Sequence, residues 1–319
     1  MNRKQTLLIT GGTGFLGKRL GLKLKDQYDV ILTGRNNKQN FQAQKFSGCK
    51  IAPLDVSSIE SVRDAFTEFK PDIVIHAAAT KFVDLAEKFP MECVDVNVMG
   101  SQNVARVAME KGTGMVIAIS TDKASPPVRN TYGLSKALME RIYCTLDGKS
   151  DTKFAAVRYG NVAWSTGSVL CIWKKMLEET GVIGTTGPEM RRFFFTVDEA
   201  VNLVIAALEN IDLVRGKVLS RKMKAAKIED ILKIWTNMSG GRYEKIDGRP
   251  GERDDEFLIG DLELPYTRSL TLKEIEYYLI SFNEKVKDPV SFGLSSANTD
   301  RLSHDEIVQI ISNPPYEEI

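Results

Sequence analysis

Hydrophobic residues in the first half of the chain occur as short continuous runs, separated by longer segments in which apolar residues recur with helical spacing. The runs are rich in Val and Ile and are Leu7–Thr10, Val30–Thr33, Ile51–Leu54, Ile73–His76, Val116–Ser120 and Phe154–Arg158. The amphipathic segments between them include Phe15–Lys25, Ile59–Phe69, Met91–Met109 and Thr131–Leu146. Continuous runs are typical of parallel strands that helices cover on both faces. The alternation therefore predicts an α/β fold with a doubly wound parallel sheet.

The second half of the chain is less regular. Strong helical patterns cover Val197–Leu208 and Ile228–Trp235, whereas glycine clusters interrupt residues 181–251 and indicate loops. The capping sequence Ser303–Glu306 predicts a last helix over Ile307–Ile311. We expect a smaller and less regular region to follow the sheet.

Composition and charge exclude several classes of function. The 319 residues contain 43 Lys and Arg against 42 Asp and Glu. A net charge of +1 does not indicate the excess of basic residues typical of proteins that bind nucleic acid or an anionic membrane. No apolar run is long enough for a membrane-spanning helix, and the polar N-terminus does not resemble a signal peptide. Four separated cysteines and two histidines argue against a metal site or a disulfide framework. We therefore expect a cytoplasmic protein without membrane insertion.

A glycine-rich loop lies between the first predicted strand and the first predicted helix. Its spacing is G-x-x-G-x-x-G, in which Gly11 allows a tight turn, Gly14 lets a pyrophosphate approach the backbone, and Gly17 lets helix and strand pack closely. Phosphates would then lie at the N-terminus of the helix. The pattern predicts a Rossmann-type dinucleotide site, with cofactor contacts from Gly11, Thr13, Gly14, Phe15, Leu16 and Gly17.

The residues after the next two strands indicate which dinucleotide binds. An acidic residue after the second strand would suit the ribose of NAD, whereas Arg35, with Lys38 close behind, suits the 2′-phosphate of NADP. Asp55 and Val56 close the third strand, where a carboxylate can reach the adenine amino group. The sequence therefore predicts NADP, although Arg35 as an ordinary solvent-exposed arginine stays open at this point.

Tyr132 and Lys136 form a Y-x-x-x-K pair at the start of a predicted helix. Their spacing places phenol and ammonium on one helical face, where the lysine charge would lower the pKa of the tyrosine and make it a base near neutral pH. With the glycine loop and Ser120-Thr121 upstream, the pair resembles the extended short-chain dehydrogenase/reductases that act on nucleotide sugars. The resemblance covers almost the whole chain and implies further cofactor contacts from Ala77, Ala78, Lys81 and Ser120, besides Tyr132 and Lys136.

A narrower resemblance rests on the segment Ser120–Ala124. It is similar to the S-T-D-K-A signature of the nucleotide-sugar 4,6-dehydratases that act on UDP-N-acetylglucosamine. Other motifs occur in the order seen in the 5-inverting members of that family, and they include His76–Ala79, Arg158–Val162, Gly167–Val169 and Arg249–Glu252. The resemblance also implies a homo-oligomer.

That resemblance implies a role for each catalytic residue. Tyr132, beside Thr121 and Lys136, would take the proton of the sugar C4 hydroxyl. Lys123, if neutral, would remove the C5 proton, and Asp122, if protonated, would protonate the departing C6 hydroxyl. The resemblance implies substrate contacts from Lys81, Asn161, Ser168, Val169, Arg249 and Glu252.

Departures from the family pattern collect at the substrate contacts. Trp164 and Thr166 stand where Gly and Arg are usual, and Arg253–Glu256 stands where Lys and His are usual. Two alternatives therefore stay open. A sugar-nucleotide epimerase or 4-ketoreductase would not need the Asp122-Lys123 pair, and a non-catalytic NADP-sensing protein would not need Tyr132 and Lys136.

The motifs divide the chain into two predicted regions. Residues 1–163 are predicted to form an NADP-binding Rossmann domain, to which residues 193–215 return. Residues 164–192 and 216–319 are predicted to form a smaller C-terminal substrate-binding region.

Overall fold

The predicted apolar runs form neighbouring parallel strands of a central sheet. The computed structural model describes residues 3–248 and 251–315. Its strands are β1 Thr6–Thr10, β2 Asp29–Gly34, β3 Lys50–Pro53, β4 Ile73–His76, β5 Met115–Thr121, β6 Lys153–Tyr159, β7 Asn161–Val162, β8 Val182–Thr185, β9 Arg191–Phe195, β10 Val218–Arg221, β11 Lys224–Lys227, β12 Arg242–Lys245, β13 Phe257–Ile259, β14 Thr267–Leu272, β15 Ile275–Ile280 and β16 Leu294–Ser295.

Helices connect the strands and cover the sheet. They are α1 Phe15–Leu24, α2 Asn37–Ser47, α3 Ile59–Phe69, α4 Val83–Lys88, α5 Pro90–Cys93, α6 Gly100–Lys111, α7 Thr131–Leu146, α8 Val169–Thr180, α9 Val197–Glu209, α10 Ile211–Val214, α11 Ile228–Ser239 and α12 His304–Ser312. Short 3₁₀ helices cover Asp122–Ala124 and Asp261–Tyr266. In the part of the chain described, no helix is both long and apolar enough to cross a membrane.

The central sheet has nine strands among the described residues. Their order is β3-β2-β1-β4-β5-β6-β10-β15-β14, and every pairing from β3 to β10 is parallel, whereas β15 and β14 run antiparallel at one edge. The direction of chain progression reverses between β1 and β4, and ligands of doubly wound sheets bind in the crevice at such a point. The prediction of an α/β fold with a doubly wound parallel sheet is confirmed.

Three strands from the predicted substrate region belong to this same sheet. β10 pairs with β6, and the hairpin β14–β15 pairs with β10 through β15, so that β14 is the edge strand. The rest of that region contributes the pairs β8–β12 and β13–β16 and most of a second hydrophobic core, in which Trp164, Trp173 and Trp235 pack edge to face. The strand β7 and residues 193–195 of β9 belong to the predicted cofactor domain and form a small sheet with β11. The division into a cofactor domain and a substrate region stays a prediction about function.

Two elements differ from the predicted pattern. The helix predicted over Met91–Met109 is a continuous helical segment from Pro90 to Lys111 whose middle, Val94–Met99, is a π-helix. The helix α2 was not predicted, because its sequence is almost wholly polar and buries few residues. Its ends nevertheless carry ordinary signals, since Asn36 caps the N-terminus and Gly48 takes a left-handed conformation at the C-terminus.

Candidate active site

The glycine loop folds as a tight turn at the carboxyl end of β1. Gly11 has a φ of +62°, and a Cβ atom there would lie 2.7 Å from the Cα of Ala78, so no other residue fits. A Cβ at Gly17 would overlap the backbone of Gly12, which brings α1 against the turn. A Cβ at Gly14 would meet only the carbonyl oxygen of Gly11, at 3.2 Å, and the residue is exposed. The turn therefore leaves the N-terminus of α1 open to a ligand.

That N-terminus can accept an anion. Its first turn has no acidic residue, and no side chain caps it. The other loop residues predicted to contact the cofactor differ in exposure. Phe15 is buried, whereas Thr13 and Leu16 are half-buried. Free backbone N–H groups and the helix dipole favour a phosphate at such a place.

The residues predicted to select the dinucleotide lie at the carboxyl ends of β2 and β3. Arg35 and Lys38 are both exposed, and the guanidinium of Arg35 lies 4.0 Å from Asp55 Oδ2. Asp55 is half-buried and accepts hydrogen bonds from the amide and hydroxyl of Ser57, while Val56 is buried under Gly100. The structure thus places Arg35 beside Asp55.

The loop after β4 is fixed by hydrogen bonds from two directions. The amides of Ala77 and Ala78 donate to the carbonyl and the hydroxyl of Thr10 in β1. Buried Asn97, in the π-helical segment, accepts from the amide of Thr80 at 2.8 Å and donates to its carbonyl at 3.0 Å. Lys81 follows this loop and is exposed. The loop therefore places Ala77 and Ala78 beside the glycine turn.

Tyr132 and Lys136 are both buried at the start of α7. Burial lowers the pKa of Lys136 to about 8, and the ammonium donates to the carbonyl of Ile119 at 2.7 Å. Burial raises the pKa of the Tyr132 phenol well above its ordinary value, and the charge of Asp122 acts in the same direction, while a hydrogen bond with Thr121 opposes both. The expectation that Lys136 lowers the pKa of Tyr132 is wrong for this structure, because burial and the charge of Asp122 raise that pKa and Lys136 is not among the groups that shift it.

Asp122 and Lys123 form a buried ion pair directly after β5. Lys123 Nζ donates to Asp122 Oδ1 at 2.9 Å and to Asn161 Oδ1 at 3.2 Å, and the hydroxyl of Thr121 donates to the same Asp122 oxygen at 2.8 Å. Although burial alone would lower the pKa of Lys123, the charges of Asp122 and Glu256 raise it. The role implied for Lys123 requires a neutral side chain. The raised pKa instead favours the ammonium, so Lys123 must first lose a proton to act as the base.

The other predicted substrate contacts lie in two loops. Ser168 and Val169 begin α8, and a Cβ at Gly167 would strike the ring of Phe82, so their loop abuts the segment that carries Lys81. Glu252 accepts a hydrogen bond from Thr186, and its neighbour Gly251 accepts one from Asn130, the cap of α7. Arg249 lies outside the described residues.

Unpaired polar atoms also concentrate here. Six buried side-chain atoms in the described residues have no hydrogen-bond partner, and four of them are Ser120 Oγ, Asp122 Oδ2, Arg253 Nε and Glu256 Oε2. Buried polar groups are normally hydrogen-bonded, so such a cluster marks a site rather than a packed core.

Comparisons with known proteins agree with this geometry. The chain matches the model of the family described as polysaccharide biosynthesis protein over residues 7–275. The chain belongs to this family. It is 33% identical to an inverting UDP-N-acetylglucosamine 4,6-dehydratase of Campylobacter jejuni, covering 98% of this chain and 99% of that protein. It is 30% identical to a UDP-glucose 4-epimerase of Rickettsia bellii, covering 98% and 96%.

The fold also matches solved structures. The structure of Pen from Bacillus thuringiensis superimposes with a TM-score of 0.88 at 27% identity, covering 98% of both chains. The resemblance to the extended short-chain dehydrogenase/reductases and to the inverting dehydratases is therefore confirmed. As a member of the polysaccharide biosynthesis family, the chain keeps the Ser120–Ala124 segment at the carboxyl end of β5.

Two residues of this family member were not predicted at the site. Glu256 is buried with Oε1 3.6 Å from Lys123 Nζ, and Asn97 holds the loop that carries Lys81. Asn97 could have been suspected from its place between apolar residues in a predicted helix, where a buried amide needs partners. No sequence pattern around Glu256 predicts its contact with Lys123, because only the tertiary fold brings the two residues together.

Proposed function

We propose that the protein is an NADP-dependent nucleotide-sugar 4,6-dehydratase, a hydro-lyase that converts UDP-N-acetylglucosamine to the UDP-4-keto-6-deoxy-L-arabino sugar with inversion at C5. The observation that carries the proposal is the buried, hydrogen-bonded pair of Asp122 and Lys123 beside Tyr132. Elimination of water needs an acid and a base on adjacent carbons, and this pair supplies both groups. The Campylobacter relative, named for that reaction, supports the same conclusion.

The residues at the carboxyl ends of β1 and β2 fit a dinucleotide. The open backbone at Gly14 and the uncapped N-terminus of α1 would hold the pyrophosphate, and Arg35 and Lys38 would hold the 2′-phosphate of NADP. Asp55 and Val56 would lie at the adenine. The rest of the dinucleotide would contact Ala77, Ala78, Ser120, Tyr132 and Lys136. A bound nicotinamide would accept hydride from C4 of the sugar and return it to C6.

The ion pair becomes catalytic when one proton moves within it. The hydrogen bond from Lys123 Nζ to Asp122 Oδ1 is 2.9 Å long, so an N–H bond of Lys123 can break as an O–H bond forms on Asp122. The charges of both groups then disappear, which leaves a neutral amine and a carboxylic acid. Lys123 would next remove the C5 proton while Asp122 protonates the departing C6 hydroxyl, and this regenerates the ion pair. When hydride returns to C6, a solvent-derived proton would add to C5 and complete the reduction with inversion.

The same proton shift prepares Tyr132. The negative charge of Asp122 is one cause of the raised pKa of the phenol. Protonation of Asp122 removes that charge and makes the phenolate of Tyr132 easier to form. After giving its own proton to solvent, Tyr132, hydrogen-bonded with Thr121, would take the proton of the C4 hydroxyl as the phenolate.

The sugar nucleotide would lie between the loops that border the pair. Asn161 already faces Lys123 and would contact the sugar, together with Lys81, Ser168 and Val169. Arg249 and Glu252 would contact the pyrophosphate and the ribose respectively, since a guanidinium fork and a carboxylate suit those groups. We expect the enzyme to act in the cytoplasm as a homo-oligomer.

A second candidate is a sugar-nucleotide 4-epimerase. The epimerase relative from Rickettsia bellii favours it. An epimerase oxidises and reduces C4 but leaves C5 and C6 unchanged, so it would have no use for the Asp122-Lys123 pair.

Product analysis separates the two candidates. Purified protein would be incubated with UDP-N-acetylglucosamine and NADP, and the product followed by mass spectrometry and NMR. We expect a product lighter by one water, with a 4-keto group, a C6 methyl group and inverted configuration at C5. A product of unchanged mass that differs only at C4 would contradict the proposal and favour the epimerase.

A further inference from the structure

Glu256 lies beside Lys123 from a distant part of the chain. It precedes β13, and its backbone is fixed on both sides, because its amide donates to Ser296 Oγ at 3.0 Å and its carbonyl accepts from the amide of Ser296 at 2.8 Å. Its Oε1 is 3.6 Å from Lys123 Nζ, and the side chain is only 5% exposed. The carboxylate is therefore held at the ammonium by a rigid main chain.

The second oxygen of Glu256 forms an ion pair but no hydrogen bond. Oε2 lies 3.5 Å from Arg253 Nε, and neither atom has a hydrogen-bond partner among the described residues. Arg253 is fixed elsewhere, since it donates to the carbonyl of Pro127 at 2.8 Å. A carboxylate with a purely structural role would have both oxygens hydrogen-bonded, because buried polar groups without partners destabilise a fold.

Charged groups approach Lys123 from three elements. Asp122 comes from its own segment, Glu256 from the loop before β13 and Arg192 from β9, while the neutral Asn161 faces it from β7. Asp122 alone would suffice for an ion pair. Glu256 adds a second carboxylate, which lies between Lys123 and the guanidinium of Arg253.

We propose that Glu256 is a positioning residue whose carboxylate keeps the single proton of the Asp122–Lys123 pair in place at alkaline pH. The inference rests on the proposed function, because elimination requires the pair to carry one proton. Loss of that proton would leave Asp122 unable to protonate the C6 hydroxyl. After Lys123 has taken the C5 proton, Glu256 also lies beside the ammonium that has formed, where a fixed negative charge stabilises it.

The variant Glu256→Gln tests the inference, because it removes the charge and keeps the size of the side chain. We expect the alkaline limb of the kcat profile to move to lower pH by about one to three units, the usual effect of an opposite charge at this distance. We also expect kcat to fall more than KM rises. Glu256→Asp keeps the charge and should leave the limb close to its wild-type position.

The matched control is Asp254→Asn, which removes an exposed carboxylate from the same loop and should leave the limb in place. A merely structural Glu256 would lower activity at every pH without moving the limb. An unchanged limb in Glu256→Gln would therefore overturn the inference.

A titration without substrate separates this inference from the proposed function. The Lys123 side-chain signal would be followed by NMR in lysine-labelled protein and assigned with Lys123→Arg. Glu256→Gln should make the signal titrate at lower pH than in the wild type. If the wild type releases no 6-deoxy product but the titration shifts, the proposed function fails and the control of Lys123 by Glu256 stands. If product forms and neither the limb nor the titration moves, the inference fails.

Discussion

At the scale of single residues, the proposed preference for NADP depends on Arg35. Its side chain is 56% exposed at the carboxyl end of β2 and can turn from Asp55 to a 2′-phosphate. We expect the wild type to bind NADP(H) about tenfold or more tightly than NAD(H), since a charge-assisted contact contributes about 1.5–3 kcal/mol. Arg35→Asp should abolish or reverse this preference in calorimetry, whereas Arg63→Ala, at an exposed arginine of α3, should not. Equal affinities of the wild type for both dinucleotides would contradict the assignment.

Substitutions of Tyr132 and Lys123 should block different steps of the proposed reaction. Tyr132→Phe removes the group that takes the C4 hydroxyl proton, so we expect neither ketone nor water loss. Lys123→Ala leaves the C4 step possible but removes the C5 base, so we expect no 6-deoxy product. NMR of the sugar nucleotide after incubation checks both. Release of 6-deoxy product by Lys123→Ala at the wild-type rate would exclude Lys123 as the base.

The identity of the central side chains could be predicted from sequence, but their protonation states could not. Asp122, Lys123 and Tyr132 lie within one short segment, so the spacing of the motifs brings them together. The pKa of Lys123 depends on burial and on Asp122, and also on Glu256, which is distant in sequence. The pKa of Tyr132 depends on burial and on Asp122, which only the folded chain determines.

At the scale of elements, the π-helical segment Val94–Met99 fixes the loop after β4. Asn97→Ala would leave the amide and carbonyl of Thr80 without their partner, and Ser135 Oγ would lose the hydrogen bond from Asn97. We expect the free energy of unfolding to fall by about 1–3 kcal/mol, the cost of an unpaired buried group. Urea denaturation measures this as a lower midpoint with an unchanged m-value. Asn37→Ala, at an exposed position of α2, is the control, and equal midpoints for both variants would contradict the role of Asn97.

Elements with a strong apolar period were predicted well, and those defined by polar contacts were not. The bounds of α3 agree with the predicted segment, because this helix buries a regular apolar face. The bounds of α7 agree as well, although its buried face includes Lys136 and Glu140. The π-helical segment depends on the hydrogen bonds of Asn97, which no local pattern encodes. The hairpin β14–β15 turns at Lys273 and Glu274, both of which have a positive φ. Turns of this kind usually have the sequence Asn-Gly, so the Lys-Glu sequence did not indicate a hairpin here.

At the scale of the whole molecule, His76 makes stability depend on pH. It is fully buried at the end of β4 between the hydroxyls of Thr10 and Ser101. Burial, with the charge of Lys136, lowers its pKa from 6.5 to about 3. Between these values the unfolded chain binds a proton that the folded chain does not, so stability falls as pH falls, by about 1.4 kcal/mol per pH unit.

The two histidines of the chain provide the test and its control. Urea denaturation from pH 6 to pH 4, a range of about two units within that window, gives the slope of the unfolding free energy against pH. This slope should be smaller in His76→Gln than in the wild type. His304 is exposed, so His304→Gln should leave the slope unchanged. Identical slopes for wild type and His76→Gln would show that His76 is protonated in the folded protein.

The central claim is that oxidation, elimination and reduction occur on one sugar in one site. The direct measurement uses substrate deuterated at C4 and turned over in ordinary water, with a parallel reaction of unlabelled substrate in heavy water. We expect the C4 deuterium to appear at C6 of the product and solvent deuterium to appear at C5, with no net consumption of NADPH. Product without the C4-derived label at C6, or consumption of one NADPH for each product, would contradict the claim.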